Sequence, residues 1–178
     1  MEPQKKHFLN IKLSVIVYNI ICNIPVCFFL CLTSAITNNS NLLDGVFTID
    51  FNNWSWLSFG VNFAVAFVLA MCVGCFIPLT KIGRWFTGLF HVENVTYTGN
   101  MKYRLLATII SSCIFYIIIS PSLTVMNYFL FNPNGIPFSS YLIRLAIDAP
   151  IMLLVGFVSS LISDLGAYKA AHSIDENF

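Results

Sequence analysis

The most apolar parts of this 178-residue chain hold a few residues whose types and spacing could do chemistry. In "YLIRLAIDAPIMLLVGF", Arg144 is followed four residues later by Asp148. Spacing of i, i+4 puts both on one helix face. Side chains lean toward a helix N-terminus, so Asp148 leans toward Arg144. An Arg or Asp at the centre of a membrane helix costs roughly 2.5–3.5 kcal/mol. Pairing relieves part of that cost, but Arg before Asp is the weaker order along a helix. Further polar partners are therefore required. Asn19, Asn23 and Asn62 lie in two other apolar stretches and are the natural ones. Pro150 also removes the backbone hydrogen bond to the Ala146 carbonyl, which loosens the helix beside Asp148. Asp148, Arg144, Asn23, Asn62 and Asn19 thus form a candidate substrate-binding set. Two readings stay open. The cluster is either a polar staple between helices or a substrate, ion or proton site.

The other candidate chemistries are weaker. All six cysteines, Cys22, Cys27, Cys31, Cys72, Cys75 and Cys113, fall in apolar stretches. Cys72 and Cys75 form a CxxC. The orientation argued below sets that pair near the cytoplasmic face, whereas oxidation of secreted thiols needs the opposite one. Buried cysteine otherwise behaves as a small hydrophobe. The three histidines, His7, His91 and His172, lie outside the apolar stretches, so none completes a zinc or haem ligand set. There is no P-loop, no GxGxxG and no G-x-S-x-G. Neither an enzyme nor a cofactor is expected.

The elements that must carry these residues are plain. The chain is 57% hydrophobic and only 10% charged, where soluble domains carry about 25% charged residues. Its mean hydropathy is +0.79. Four apolar runs, at 13–36, 56–79, 105–130 and 141–165, each reach the roughly 20 residues that cross a bilayer core. In lipid the backbone must satisfy itself, so the runs are helices even where Pro25, Pro121 and Pro150 interrupt them. The first run is too long for the apolar core of a signal peptide, and no A-x-A site follows it.

Basic residues set the orientation. Lys5, Lys6 and Lys12 precede the first run, Lys81, Arg84, Lys102 and Arg104 lie between the second and third, and Lys169 follows the fourth. "TNNSNLLDGVFTIDFNN" and "FNPNGIPFSS" hold none. Eight of the nine Lys and Arg residues are thus on one side, with Arg144 the exception. The positive-inside rule predicts an integral protein of the cell membrane with both termini cytoplasmic. "LTKIGRWFTGLF" reads as a short amphipathic helix or a simple anchor at the inner interface. Lys81, Arg84, Trp85, Lys102 and Arg104 would meet lipid there. Small residues of the second run (Gly60, Ala64, Ala66, Ala70) suit close helix contact, within the chain or across a homodimer. With a net charge of +1, no nucleic-acid partner is implied.

The halves of the chain align weakly. An offset of 82 pairs Ser58 with Ser140, Ala64 with Ala146 and Gly74 with Gly156, and an offset of 91 pairs Cys22 with Cys113 and Thr33 with Thr124. The reading is one membrane domain over 1–178, with tandem hairpins at 8–86 and 101–171 related by an axis along the membrane normal. "LTSAITNN", "LLDGVF" and "WLSFGVNFAVAFVLAMCVGCFIPLTKI" together resemble a bacterial family of small membrane proteins of unknown function, built from one or two tandem transmembrane hairpins. "SPSLTVMNYF" and "YLIRLAIDAPIMLLVGF" resemble a diverged second copy. The basic run after the second span is thin here, and after the fourth it gives way to "SDLGAYKAAH". The resemblance implies a fold and no catalytic residues. The expectation is an all-α membrane four-helix bundle. Its function is a small transporter or permeation protein with a polar site between the repeats. The alternative is a non-transporting scaffold, accessory subunit or stress-related membrane protein.

Overall fold

The structure is a computed structural model that describes residues 12–38, 40–43, 46–49, 55–92, 100–131 and 135–175. In chain order the elements are α1 (Leu13–Asn38), β1 (Ser40–Leu43), β2 (Val46–Ile49), α2 (Trp56–Phe76), α3 (Leu79–Leu89), α4 (Met101–Leu130) and α5 (Phe138–His172). The fold is all-α apart from one short antiparallel hairpin. Among the described residues, four of the five helices are long and apolar enough to cross a membrane.

Local chemistry explains the boundaries. The Ser55 hydroxyl accepts the Ser58 N–H at 3.2 Å and opens α2. The Asn100 carboxamide does the same for the Tyr103 N–H, at 3.2 Å, and opens α4. The second span stops at Phe76, three residues before its apolar run ends. Ile77 turns extended at φ −89° and ψ 127°, as the residue before a proline tends to do. Pro78 then starts α3, in the stretch expected to form a short amphipathic helix. The fourth span runs past its expected end to His172 and draws "SDLGAYKAAH" into the same helix. Proline does not break the long helices, and Pro25, Pro121 and Pro150 all lie inside them. The β1–β2 hairpin was not anticipated from the sequence. Its register pairs Ser40 with Ile49 and Leu43 with Val46.

The helices pack as an up-down-up-down ring, α1–α2–α4–α5, in which α5 returns to α1. The α1–α5 seam is the most extensive and the α2–α4 seam the thinnest, while α3 lies along α4. Both ends of the α1–α5 seam are tied. Lys12 reaches Asp175 at 2.8 Å at one end, and an Arg144 Nη2–H donates to the Thr37 carbonyl at the other. The first is here called the basic end and the second the hairpin end.

Side chains sort as a lipid-facing bundle requires. Ile143, Ile147, Ile151, Leu154, Val158 and Ile162 recur every three to four residues on the exposed face of α5. Met152, Gly156, Ser159 and Ala167 lie on its buried face. In water such an apolar exterior would be a liability. In hydrocarbon it is the expected exterior, because the polar groups are the ones that need burial. The tightest packing joins Cys27 and Cys31 of α1, Ala66 and Ala70 of α2 and Ile119 of α4, with Phe59, Phe63 and Phe115 around them.

One close approach depends on glycine. The Asn19 carboxamide of α1 lies against Gly74 of α2, and a methyl group there would overlap it. Gly74→Ala is expected to displace Asn19 and destabilise the fold by about 1–3 kcal/mol, the usual range for overpacking. The Asn19→Ala/Gly74→Ala double variant should melt above Gly74→Ala alone in a detergent thermal melt. A Gly74→Ala protein that melts with the wild type would contradict this contact.

Candidate functional site: a polar cavity along the bundle axis

The ring of helices leaves its centre unfilled. It encloses a cavity of about 1080 Å³. The walls come from α1, α2, α4 and α5, and the first residues of α3 reach it at the basic end. Val15, Asp164 and Tyr168 line it toward that end, and Phe131, Ser140 and Arg144 toward the hairpin end. All five residues of the expected binding set, Asn19, Asn23, Asn62, Arg144 and Asp148, line this one space.

The cavity does not gather them into a single cluster. At the hairpin end, Arg144 Nε lies 3.7 Å from Asp148 Oδ2, and the Thr37 hydroxyl donates to the same oxygen at 3.4 Å. Helix α1 thus supplies the outside help that the weak Arg-before-Asp order requires, through Thr37 rather than an asparagine. The Arg144 side chain is 45% exposed and that of Asp148 20%. A second recess of about 510 Å³, lined by Thr37, Ser140, Ile143, Arg144, Ile147 and Asp148, shares Ser140, Arg144 and Asp148 with the cavity. Arg144 and Asp148 therefore border both spaces. Asn62 binds elsewhere. Its Nδ2 donates to the Ser58 carbonyl at 2.9 Å, and its Oδ1 accepts from Asn127 of α4 at 2.9 Å. Asn19 donates to the Val15 carbonyl at 2.8 Å, and Asn23 makes a long contact of 3.9 Å with the Met71 sulfur. Both amides are buried.

The basic end holds a cluster that was not singled out in the sequence. Asp164 Oδ2 accepts from Arg104 Nε at 3.3 Å and from Arg104 Nη2 at 3.2 Å. Its Oδ1 accepts from the Tyr18 hydroxyl at 2.6 Å. One carboxylate thereby joins α1, α4 and α5. Arg104 had been grouped with the lipid-facing residues. The structure turns it inward, with its side chain 7% exposed and that of Asp164 4%. Lys81, Arg84, Trp85 and Lys102 are exposed, while Gly83 and Thr87 form the face of α3 that packs on α4. Arg84 also borders the cavity. Asp164 was legible only as a charge at the end of the fourth apolar run, eight residues before the end of the helix. Its partner is 60 residues away in sequence, and no local pattern links them.

The CxxC residues diverge. Cys72 is exposed on the outside of α2, while Cys75 borders the cavity, and all six cysteines are free thiols. Among the described residues, no three His, Cys, Asp or Glu side chains are grouped so as to hold a metal. The Cys72→Ala/Cys75→Ala variant is expected to melt within about 1 kcal/mol of the wild type and to keep its activity. Recovery of a Cys72–Cys75 disulfide from intact cells on non-reducing peptide maps would contradict a packing role.

Four apolar spans around an internal cavity define a small multi-pass membrane protein. Comparison with family models, with curated proteins and with solved structures returns no match, so the resemblance to a family of small hairpin proteins identifies no family for this chain.

Proposed function

We propose that the chain is a small permeation protein of the cytoplasmic membrane and that the axial cavity is its pathway. The observation that carries this reading is the cavity itself. A bundle built only to hold helices together fills its interior with side chains. This one leaves about 1080 Å³ along its axis, with Asp148 on the wall toward one end and Asp164 toward the other. The uneven Lys and Arg distribution supports cytoplasmic termini and a cytoplasmic basic end. The weak alignment of the two halves supports tandem hairpins. The ring departs from two-fold symmetry at the seams that such a repeat would make equivalent, α1–α5 and α2–α4.

The competing reading is a scaffold or accessory subunit, favoured by the three-helix tie at Asp164. Reconstitution separates the two. Proteoliposomes carrying the purified chain are expected to equilibrate small solutes faster than protein-free vesicles in stopped-flow light scattering. Equal rates for every neutral and ionic solute tried would leave the scaffold reading. Orientation has its own check in a cysteine-free background. Asn41→Cys and Asn134→Cys should react with an impermeant maleimide on intact cells, and Tyr97→Cys only after lysis. Labelling of Tyr97→Cys from outside would overturn the assigned sidedness.

A further inference from the structure

The cavity wall contributed by α4 carries a row of polar side chains that the charged pairs do not explain. Thr108, Ser112, Tyr116, Ser120, Thr124 and Asn127 all border the space. They follow one another at intervals of four residues and finally three. From Thr108 to Asn127 the row rises roughly 28 Å at 1.5 Å per residue, close to the ~30 Å thickness of a hydrocarbon core. One member stands apart. The Ser112 hydroxyl is buried, the residue being 8% exposed, and its oxygen has no hydrogen-bond partner among the described residues. A hydroxyl left this way in an apolar medium costs free energy unless something else bonds to it.

The rest of the wall narrows the choice of ligand. Apart from Arg84 of α3 toward the basic end, the cavity between the Arg104–Asp164 and Arg144–Asp148 pairs is bordered, among the described residues, by no Asp, Glu, Lys, Arg or His side chain. Each lining carboxylate already faces an arginine. An ion taken from water loses several kcal/mol of solvation even after relaxation, and the row of neutral side chains on α4 offers no charge to replace it. A neutral solute loses only hydrogen bonds. Hydroxyls can replace these because each both donates and accepts. Facing the row, α1 and α2 present Leu30, Phe59 and Ala66, which suit the C–H face of a small organic molecule. At about 30 Å³ per water, the space holds the equivalent of roughly 36 waters, so size does not exclude such a solute.

From this we infer that the α4 row is the track of a small uncharged solute bearing hydroxyl or amide groups, of the polyol or urea type. The inference rests on the permeation reading and names the substrate class of that pathway. The test uses the full chain in liposomes, with glycerol and urea as neutral probes and potassium as the ionic one. Glycerol and urea are expected to enter at least tenfold faster than into protein-free vesicles, with potassium flux unchanged. Ser112→Ala is expected to slow glycerol entry severalfold. It should melt no lower than the wild type, because it removes an unsatisfied hydroxyl rather than a bond. Ser120→Ala provides a second variant with the same expected flux loss. Potassium flux without glycerol or urea flux would overturn the substrate class and leave permeation standing. No flux of any probe would overturn both. Wild-type glycerol entry through both serine variants would overturn the assignment of the track to α4.

Discussion

Asp164→Ala is expected to lower the stability of the bundle by about 3–5 kcal/mol, the usual penalty for removing one member of a buried ion pair. The reason lies in what stays behind. The Arg104 guanidinium remains in a site where its side chain is 7% exposed, and its counter-charge is gone. Arg104 lies in the first turn of α4, so its side chain has little room to reach the interface without unpacking that turn from α5. The Tyr18 hydroxyl loses its acceptor at the same time. Tyr18→Phe removes a hydrogen bond to a charged group and leaves the ion pair intact, so a smaller loss of about 1.5–3 kcal/mol is expected. Replacing both charges, as in Arg104→Met/Asp164→Leu, should recover most of the loss, since two buried charges are exchanged for apolar volume. Thermal and denaturant melts in a mild detergent measure all three variants. An Asp164→Ala protein that melts with the wild type would show that Arg104 finds solvent easily. The three-helix tie would then be ornamental.

Asp148→Asn is expected to have the opposite signature, with stability nearly unchanged and flux reduced by an order of magnitude. The structural part follows from geometry. The Arg144–Asp148 contact is 3.7 Å long, the Arg144 side chain is 45% exposed, and exposed pairs contribute about 0–1 kcal/mol. Arg144 also keeps its bond to the Thr37 carbonyl, so it is not stranded in hydrocarbon. The flux part follows from position. The pair borders both the axial cavity and the recess at the hairpin end. With the carboxylate present, the guanidinium is balanced where the two spaces meet. With asparagine the shape is kept, but an unbalanced cation remains in the passage. It holds water and counter-ions there, and a solute crossing must displace them. Replacing both residues by leucine should give a folded protein that also fails to conduct, because the mouth becomes apolar. The measurement is glycerol entry into proteoliposomes beside a thermal melt for each variant. A stable and fully active Asp148→Asn would remove this pair from the pathway. A loss of more than about 3 kcal/mol would make it a staple like the one at Asp164.

The two pairs differ in how they could be found. Both are Arg–Asp pairs with the aspartate on α5. Arg144 and Asp148 are four residues apart on one helix, so their pairing is written in local spacing. Arg104 and Asp164 are on different helices, and each sits beside polar loop text. Arg104 counts with Lys102 toward the basic bias of the central loop, which suggests an interfacial residue. That inference fails because α5 continues through Asp164 to His172 and sets the carboxylate level with the first turn of α4.

Composition and run length alone determined the four spans, since roughly 20 apolar residues have one stable solution in a bilayer. The same text located α3, the intramembrane charges and the asymmetry of basic residues. It could not say which face of each span looks inward. These helices are apolar nearly all round, and the periodic contrast that orients an amphipathic helix in water is almost absent. Serine and threonine in such helices are also poor signals, because they bond readily to the carbonyl four residues back. Ser111 does so to Ala107 at 2.8 Å and Thr124 to Ser120 at 2.8 Å. Only the assembled ring turned Thr108, Ser112 and Ser120 toward a common space and brought Asp164 to Arg104. The physical reason is that burial of polar groups in a membrane protein is decided between helices, by which neighbour can satisfy them. That neighbour is a property of the packing and of no single segment.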